Sequence, residues 1–163
     1  MEITRATESE AELLAELVRT ASRDVAVRFG LTPDNCPRHP SNCTVEWIRA
    51  DFARGVEYYL LDNGRAPTGC VAMEPADSGT CYLERLAVLP EKRRRGYGRR
   101  LVEHVLKEAG NRAFRQVGIG TIASHGELLE WYRKIGFVAG ETRRFEHLPF
   151  EVTFMTYHIP AGE

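Results

Sequence analysis

The sequence lacks several features that would place it at once in a large class of proteins. No apolar run reaches the length of a membrane span, and the first residues show no basic segment followed by an apolar stretch, the mark of a secretory signal. We therefore predict a cytoplasmic protein, in which the four cysteines are reduced thiols. The net charge is only -1, whereas general nucleic-acid binders usually carry a strong positive excess. We expect neither a membrane nor a nucleic acid as a partner.

The length and composition are typical of one folded domain. The 163 residues are 43% hydrophobic and 28% charged, which is enough apolar material for a substantial core. No internal repeat, low-complexity tract or linker interrupts the chain, so we predict a single domain over residues 1–163. These features do not fix the oligomeric state, and a homodimer is left open.

Hydrophobic periodicity and turn signals predict an alternation of strands and helices. A capping box at Thr7 opens the first helix, and Asp62-Asn63-Gly64 joins two strands as a hairpin. A second capping box, Ser124-x-x-Glu127, opens a later helix. The predicted element order is βααβββαβαββ, which indicates an α/β sandwich with a mixed central sheet.

The most informative segment is a basic glycine loop between a strand and a helix. The strand-like run Tyr82–Leu89 ends at Pro90, and an amphipathic helix follows the loop. The first N–H groups of a helix are unpaired and bind phosphate well, and glycines let the backbone approach a ligand closely. Two common phosphate motifs do not fit, because Gly98 is followed by neither Lys-Ser nor Lys-Thr, and Leu101 stands where a dinucleotide motif needs its third glycine.

Two sequence elements resemble one known family. Arg93-Arg94-Arg95-Gly96-Tyr97-Gly98 fits the pattern R-x-x-G-x-G, which resembles the acetyl-CoA signature of the GNAT N-acetyltransferases. Trp131-Tyr132-x-x-x-Gly136-Phe137 looks like the F-Y-x-x-x-G-F element of the same family. The motifs cover roughly residues 82–137, and the predicted element order extends the resemblance over nearly the whole chain.

The resemblance implies an acetyl-CoA-dependent N-acetyltransferase, which moves an acetyl group directly from the coenzyme thioester to a primary amine of a small molecule or peptide. In this family the loop amides bind the pyrophosphate, a strand pairs with the pantetheine arm, and a tyrosine protonates the departing sulfur. By resemblance that tyrosine is Tyr132. The coenzyme-binding residues implied in the same way are Leu86, Ala87, Val88, Arg93, Arg94, Arg95, Gly96, Tyr97, Gly98, Arg99, His125 and Tyr132.

Two positions depart from the family pattern. His125 stands where many members carry an asparagine that helps to bind the pantetheine arm or the substrate, and a histidine can also titrate near neutral pH. The glutamate base of histone-type members corresponds by spacing to Tyr82, which cannot act as a base at neutral pH. Glu84 lies two residues further on the same strand face and is the candidate base. An ordinary ion pair with a neighbouring arginine, and a water chain that carries the proton, are alternatives left open.

The long loop between the first two helices is the predicted acceptor side. Loops of this length in a compact domain are usually functional, and Arg38 and His39 are the candidate substrate-binding residues, suited to an acceptor with an anionic group. The same loop contains Cys36-x-x-His39-x-x-x-Cys43, three potential zinc ligands without an apparent fourth. We predict no metal site there.

Two other functions stay open at this point. One is a regulatory module of the same fold that binds CoA without turnover, and the other is a nucleic-acid-binding protein that uses the arginine cluster. The presence of Tyr132 favours the enzyme, and the near-neutral net charge disfavours nucleic acid.

Overall fold

The computed structural model describes residues 2–161, which form a seven-stranded mixed sheet with helices packed on both faces. The elements follow one another in the predicted order, and the predicted fold class is confirmed. The strands and helices are β1 (Glu2–Arg5), α1 (Ala11–Phe29), α2 (Val45–Ala53), β2 (Glu57–Asp62), β3 (Pro67–Pro75), β4 (Thr80–Val88), α3 (Tyr97–Asn111), β5 (Gln116–Ile122), α4 (Gly126–Ile135), β6 (Val138–Arg144) and β7 (Glu151–His158).

The strands lie in the order β1-β2-β3-β4-β5-β7-β6. Neighbours are antiparallel except β4 and β5, which run parallel. Helix α1 packs against β3 and β4 on one face, and α3 packs against β2 to β5. Two large hydrophobic clusters, one on each face, therefore hold the helices onto the sheet, and a smaller third cluster joins the end of α1 to Ile122 of β5.

Strand β4 contains a bulge near its middle. Cys70 of β3 pairs with Ala87 and Ala72 pairs with Glu84, so Val71 lies opposite two residues of β4 instead of one. Arg85, at the bulge, has a φ angle of 51°, in the left-handed region that residues other than glycine rarely adopt. The extra residue places Arg85 on the same sheet face as Glu84, where its guanidinium reaches Asp51 at 3.0 Å.

Strands β4 and β5 are paired at one end only. Their register contains three pairs, of which the last joins Tyr82 to Gly118. Beyond this pair the two strands separate. No further residue of β4 is paired with a residue of β5, up to the strand ends at Val88 and Ile122. The separation opens a cleft through the middle of the sheet.

The two predicted capping boxes have different outcomes. At Thr7 the box forms, and the Glu10 carboxylate accepts a hydrogen bond of 3.0 Å from the Thr7 N–H. At Ser124 the prediction is wrong, because α4 begins one residue later, with His125 as its N-cap and no side-chain cap. The Gly126 N–H instead bonds to the Ser124 carbonyl oxygen at 3.0 Å, which forms a tight turn before the helix.

Two further properties bear on the sequence predictions. Among the helices within residues 2–161, none is long and apolar enough to cross a lipid bilayer. All four cysteines are buried, and each carries a free thiol.

Candidate active site

A cavity of about 1020 Å³ occupies the cleft between β4 and β5. Its walls come from both strands, from α1, from the start of α3 and from α4. The cavity brings together most of the predicted site residues, whereas Arg95 and Arg38 are not part of its lining. The predicted residues that line it are His39, Glu84, Leu86, Ala87, Val88, Arg93, Arg94, Gly96, Tyr97, Gly98, Arg99, His125 and Tyr132.

The basic glycine loop ends at the N-terminus of α3. The N-cap is Gly96, whose φ of 80° is left-handed and which has no side chain to cap the helix. The first N–H groups of α3 therefore lack an intrahelical partner, and they lie at the positive end of the helix dipole. Because Gly96, Tyr97 and Gly98 line the cavity, this end can bind an anion.

Gly98 lies in close contact with Trp131. A Cβ atom at Gly98 would lie 3.3 Å from Cζ2 and 3.5 Å from Cη2 of the indole ring. The glycine thus lets the first turn of α3 approach α4, in addition to keeping the backbone accessible. Trp131 lines the same cavity. It was not among the predicted site residues, although it precedes Tyr132 in the sequence motif.

The side chain of Arg93 is bound to α1 at the wall of the cavity. Its guanidinium donates to both carboxylate oxygens of Asp24, at 2.6 and 3.3 Å, and to the Ala21 carbonyl oxygen at 2.6 Å. Its Nε donates to the Val88 carbonyl oxygen at 3.1 Å. The hydrogen bond from Arg93 lowers the pKa of Asp24. Arg93 was predicted as a coenzyme ligand; it lines the cavity, and its side chain anchors the loop to α1.

The other arginines of the loop differ in their surroundings. Arg94 is exposed at the cavity wall, with a left-handed φ of 63°. Arg99 also lines the cavity, and its Nε forms an exposed ion pair with Glu103 at 2.8 Å. Arg95 is exposed outside the cavity lining. Of the three predicted ligands here, the structure brings Arg94 and Arg99 to the cavity and leaves Arg95 aside.

Tyr132 lies on α4 with only 5% of its surface exposed. Its ring packs edge-on against Trp131 and Phe137, with centroid distances of 4.9 and 5.3 Å. Burial raises the pKa of Tyr132, so the hydroxyl is protonated at neutral pH. A protonated hydroxyl at a cavity wall is able to donate a proton.

Glu84 is the carboxylate of β4 that faces the cavity. Burial and the neighbouring carboxylate of Glu74 raise the pKa of Glu84 to about 7. The ordinary ion pair left open from the sequence is not seen among residues 2–161, because Arg85 pairs with Asp51 and Arg54 pairs with Asp51 and Glu74. A carboxylate with this pKa can accept a proton near neutral pH.

His125 has a buried ring nitrogen without a partner. Its Nδ1 is the one buried side-chain nitrogen or oxygen within residues 2–161 that makes no hydrogen bond. The ring packs against Phe29 at a centroid distance of 5.4 Å, and burial, together with the nearby charge of Arg28, lowers the pKa of His125. The ring is therefore neutral at neutral pH. A buried nitrogen without a hydrogen-bond partner lowers the stability of the folded protein.

The two predicted acceptor residues lie in different surroundings. The Ser41 N–H donates to Nδ1 of His39 at 3.2 Å, so this nitrogen is unprotonated, and burial lowers the pKa of His39. A neutral His39 does not supply the positive charge expected for an anionic acceptor group. Arg38 is exposed over the ring of Trp47, 4.3 Å from its centroid, and the structure does not bring it to the cavity.

The possible zinc ligands of this loop are buried. Cys36 and Cys43 are at most 2% exposed, and burial raises the pKa of both thiols. Within the described part of the chain, no group of three His, Cys, Asp or Glu side chains is arranged to hold a metal ion.

Several residues of the cavity were not predicted from the sequence. Ser22 and Asp24 of α1, and Val152 of β7, have no local motif that marks them. They reach the cavity through contacts between distant parts of the chain. Arg28 spans from the end of α1 to α4, where it pairs with Glu127 at 3.1 Å.

Comparison with known proteins identifies a family and similar proteins. Residues 17–137 match the sequence model described as the acetyltransferase (GNAT) family. The [ribosomal protein bS18]-alanine N-acetyltransferase of Escherichia coli (strain K12) is 27% identical over 103 residues, which are 60% of this chain and 68% of that protein.

Solved structures agree with the fold. The ribosomal-protein-S18-alanine N-acetyltransferase from Escherichia coli superimposes with a TM-score of 0.78 at 17% identity, over 99% of this chain and 96% of that chain. A GNAT family acetyltransferase from Elizabethkingia anophelis with acetyl-CoA bound gives 0.71 at 19% identity, over 96% and 97% of the two chains. An aminoglycoside 6'-N-acetyltransferase complexed with coenzyme A gives 0.74 at 15% identity, over 100% and 99%.

Proposed function

Because this chain belongs to the GNAT acetyltransferase family, we propose that it transfers an acetyl group from acetyl-CoA directly to a primary amine of a small molecule or peptide. The observation that carries the proposal is the cavity between β4 and β5, which has a helix N-terminus at one end and both Glu84 and Tyr132 in its walls. Relatives of the same fold contain acetyl-CoA or coenzyme A.

The residues present fit the coenzyme. The loop from Arg94 to Gly98 would hold the pyrophosphate through the unpaired N–H groups at the start of α3. The part of β4 beyond Tyr82 has no strand partner on its β5 side, and unpaired backbone groups of a strand need hydrogen bonds. Leu86, Ala87 and Val88 would offer these groups to the amides of the pantetheine arm. His125 lines the same cavity and would contact the same arm.

The chemistry follows from the protonation states of two residues. Bound acetyl-CoA supplies an acetyl group activated as a thioester. Glu84, with a pKa of about 7, would take the proton from the incoming ammonium group, since a general base works best when its pKa lies near the operating pH. The N–H near Leu86 would polarise the thioester carbonyl, and Tyr132 would give its proton to the departing sulfur.

The test is the release of CoA thiol by the purified protein. We expect release from acetyl-CoA that depends on an added primary amine, in a panel of small amines and peptides with free N-termini. Binding of acetyl-CoA without amine-dependent release would favour the regulatory module instead. Failure to bind acetyl-CoA would overturn both functions. A cytoplasmic location is part of the proposal, and it is supported by the four free thiols.

A further inference from the structure

One face of the sheet is uncovered over the middle of β5 and β7 and over β6, whereas Ile122 at the end of β5 packs on this face with Ala26 and Leu31. Helix α1 packs on this face over β3 and β4. The opposite face of β5 and β7 is covered, since Val117, Ile119 and Met155 are buried in the cluster beneath α3 and α4. Away from Ile122, the two faces of this half of the sheet are therefore unequal, with a core on one side and exposed side chains on the other.

The uncovered face exposes apolar side chains in register. Tyr82 lies opposite Gly118, Gly118 opposite Thr156, and Thr156 opposite Val138, which makes one row across four strands. Tyr82 is 44% exposed and Val138 59%, and Phe154, two residues before Thr156 on the same face of β7, is 36% exposed. Of the four large apolar side chains exposed within residues 2–161, only Val27 lies elsewhere. We call Tyr82, Val138 and Phe154 the apolar row.

The apolar row leads to the candidate base. A Cβ at Gly118 would lie 3.1 Å from the ring of Tyr82, and a Cβ at Gly120 would lie 3.6 Å from the ring of Phe154. The two rings thus lie close over the glycines of β5. A second cavity of about 230 Å³ is lined by both rings, both glycines and Glu84, and it shares Glu84 and Gly120 with the main cavity.

We propose that the apolar row is the docking surface for the acceptor and that this acceptor is a polypeptide, whose amine enters beside Glu84. This inference rests on the proposed N-acetyl transfer and names its substrate class. The row spans three strand spacings, or about 14 Å, which matches about four residues of extended chain. Glu84 and the two aromatic rings line the same small cavity, and the face of an aromatic ring attracts an ammonium group.

The experiment compares the same substitution at two exposed valines. Val138→Glu places a charge in the apolar row, and Val27→Glu places the same charge on α1 outside it. The acceptors are an equimolar library of hexapeptides with free N-termini, a library of dipeptides too short to reach Val138, and an aminoglycoside as the small amine. CoA release and mass spectrometry measure acetylation, and melting temperatures check that both variants fold.

We expect Val138→Glu to raise the KM for hexapeptides by about tenfold, equivalent to about 1.4 kcal/mol of binding. The KM for acetyl-CoA and for dipeptides stays unchanged, and Val27→Glu behaves like the wild type. If Val138→Glu fails to fold, Phe154→Ser provides the same test from the other end of the row.

Three results would overturn the inference. The first is acetylation of the aminoglycoside but not of the hexapeptides, which would leave the proposed function intact. The second is an equal effect of the two valine substitutions. The third is a wild-type dimer in sedimentation that Val138→Glu dissociates, because the row would then be covered by a second copy of the chain. Absence of CoA release with every amine would instead mean failure of the proposed function itself.

Discussion

At the scale of single residues, the hydroxyl of Tyr132 is held by packing and kept protonated by burial. Replacing Tyr132 with phenylalanine keeps the ring contacts and removes only the proton donor. We expect Tyr132→Phe to lower kcat by about 10²–10⁴-fold, the usual contribution of a positioned proton transfer, and to leave the KM for acetyl-CoA unchanged. Steady-state kinetics measure both.

Tyr157→Phe is the matched control, since Tyr157 also packs on Phe137, at 5.5 Å, but does not line the cavity. Equal activity of Tyr132→Phe and wild type would reduce Tyr132 to a packing residue.

The carboxylate of Glu84 predicts a pH profile. With a pKa of about 7, kcat/KM is expected to rise with pH as Glu84 loses its proton and to level off above neutral pH. Glu74→Gln removes the neighbouring carboxylate that helps to raise this pKa, so the rise should move to lower pH. Glu84→Gln should abolish it together with most of the activity. A profile that Glu74→Gln leaves in place would mean that another group, or a water chain, takes the proton.

The same carboxylate makes the free energy of unfolding depend on pH. The folded protein keeps a proton on Glu84 that the unfolded chain loses, because the pKa is raised from 4.5 to about 7. The state with more bound protons is favoured at low pH, so this contribution to stability is present below about pH 4.5 and is lost as the pH rises to about 7. Urea unfolding across this window should show a smaller decline for Glu84→Gln than for wild type. An equal decline in the two proteins would mean that a group other than Glu84 causes this pH dependence.

At the scale of elements, Arg93 joins the glycine loop to α1. Its guanidinium links three elements, through Val88 of β4, Ala21 and Asp24 of α1, and the loop itself. We expect Arg93→Ala to raise the KM for acetyl-CoA with little change in kcat, because the loop loses its position. Asp24→Ala should act in the same direction, and the double variant should be no worse than the single one, since the two side chains act as a unit.

The neighbouring arginine provides the control for this clamp. Arg95 is exposed and lies outside the cavity lining, so Arg95→Ala should change the KM for acetyl-CoA little. A direct phosphate ligand would behave differently, because Arg93→Ala would then weaken coenzyme binding while Asp24→Ala would leave it unchanged or improve it.

The order of elements could be predicted from the sequence because it depends on local signals. Periodicity marks the helices, Asp62-Asn63-Gly64 marks a hairpin, and the loop from Arg93 to Gly98 carries its own motif. The bulge at Arg85 could not be predicted, because a left-handed φ at an arginine leaves no sequence signature. The separation of β4 from β5 is likewise a property of their pairing, not of either strand alone.

The site was predicted where it lies within one motif and missed where it depends on distant contacts. Gly98 and Tyr132 belong to motifs, and both line the cavity. The contact of Arg93 with Asp24 joins residues 69 positions apart, so the sequence near Arg93 does not reveal that its side chain is already bound. Arg38 was selected by charge alone, and its stacking on Trp47 could not be read from its neighbours.

At the scale of the whole molecule, the cavity is built from elements that are distant in sequence, so a ligand bound there should stabilise the entire fold. Acetyl-CoA at 100 times its Kd adds about 2.7 kcal/mol to the free energy of unfolding. For a chain of this size the melting temperature should rise by about 5–10 °C, which differential scanning fluorimetry detects. Gly98→Val should lose this rise, because its side chain would collide with Trp131 and displace the start of α3.

Duplex DNA should not raise the melting temperature at a salt concentration of about 150 mM, because we expect the arginine cluster to bind the coenzyme. If the cluster bound nucleic acid, the protein would bind DNA with an affinity that falls steeply as salt is added. A wild-type protein that is stabilised by DNA and not by millimolar acetyl-CoA would assign the arginine cluster to nucleic acid and remove the basis for acetyl transfer.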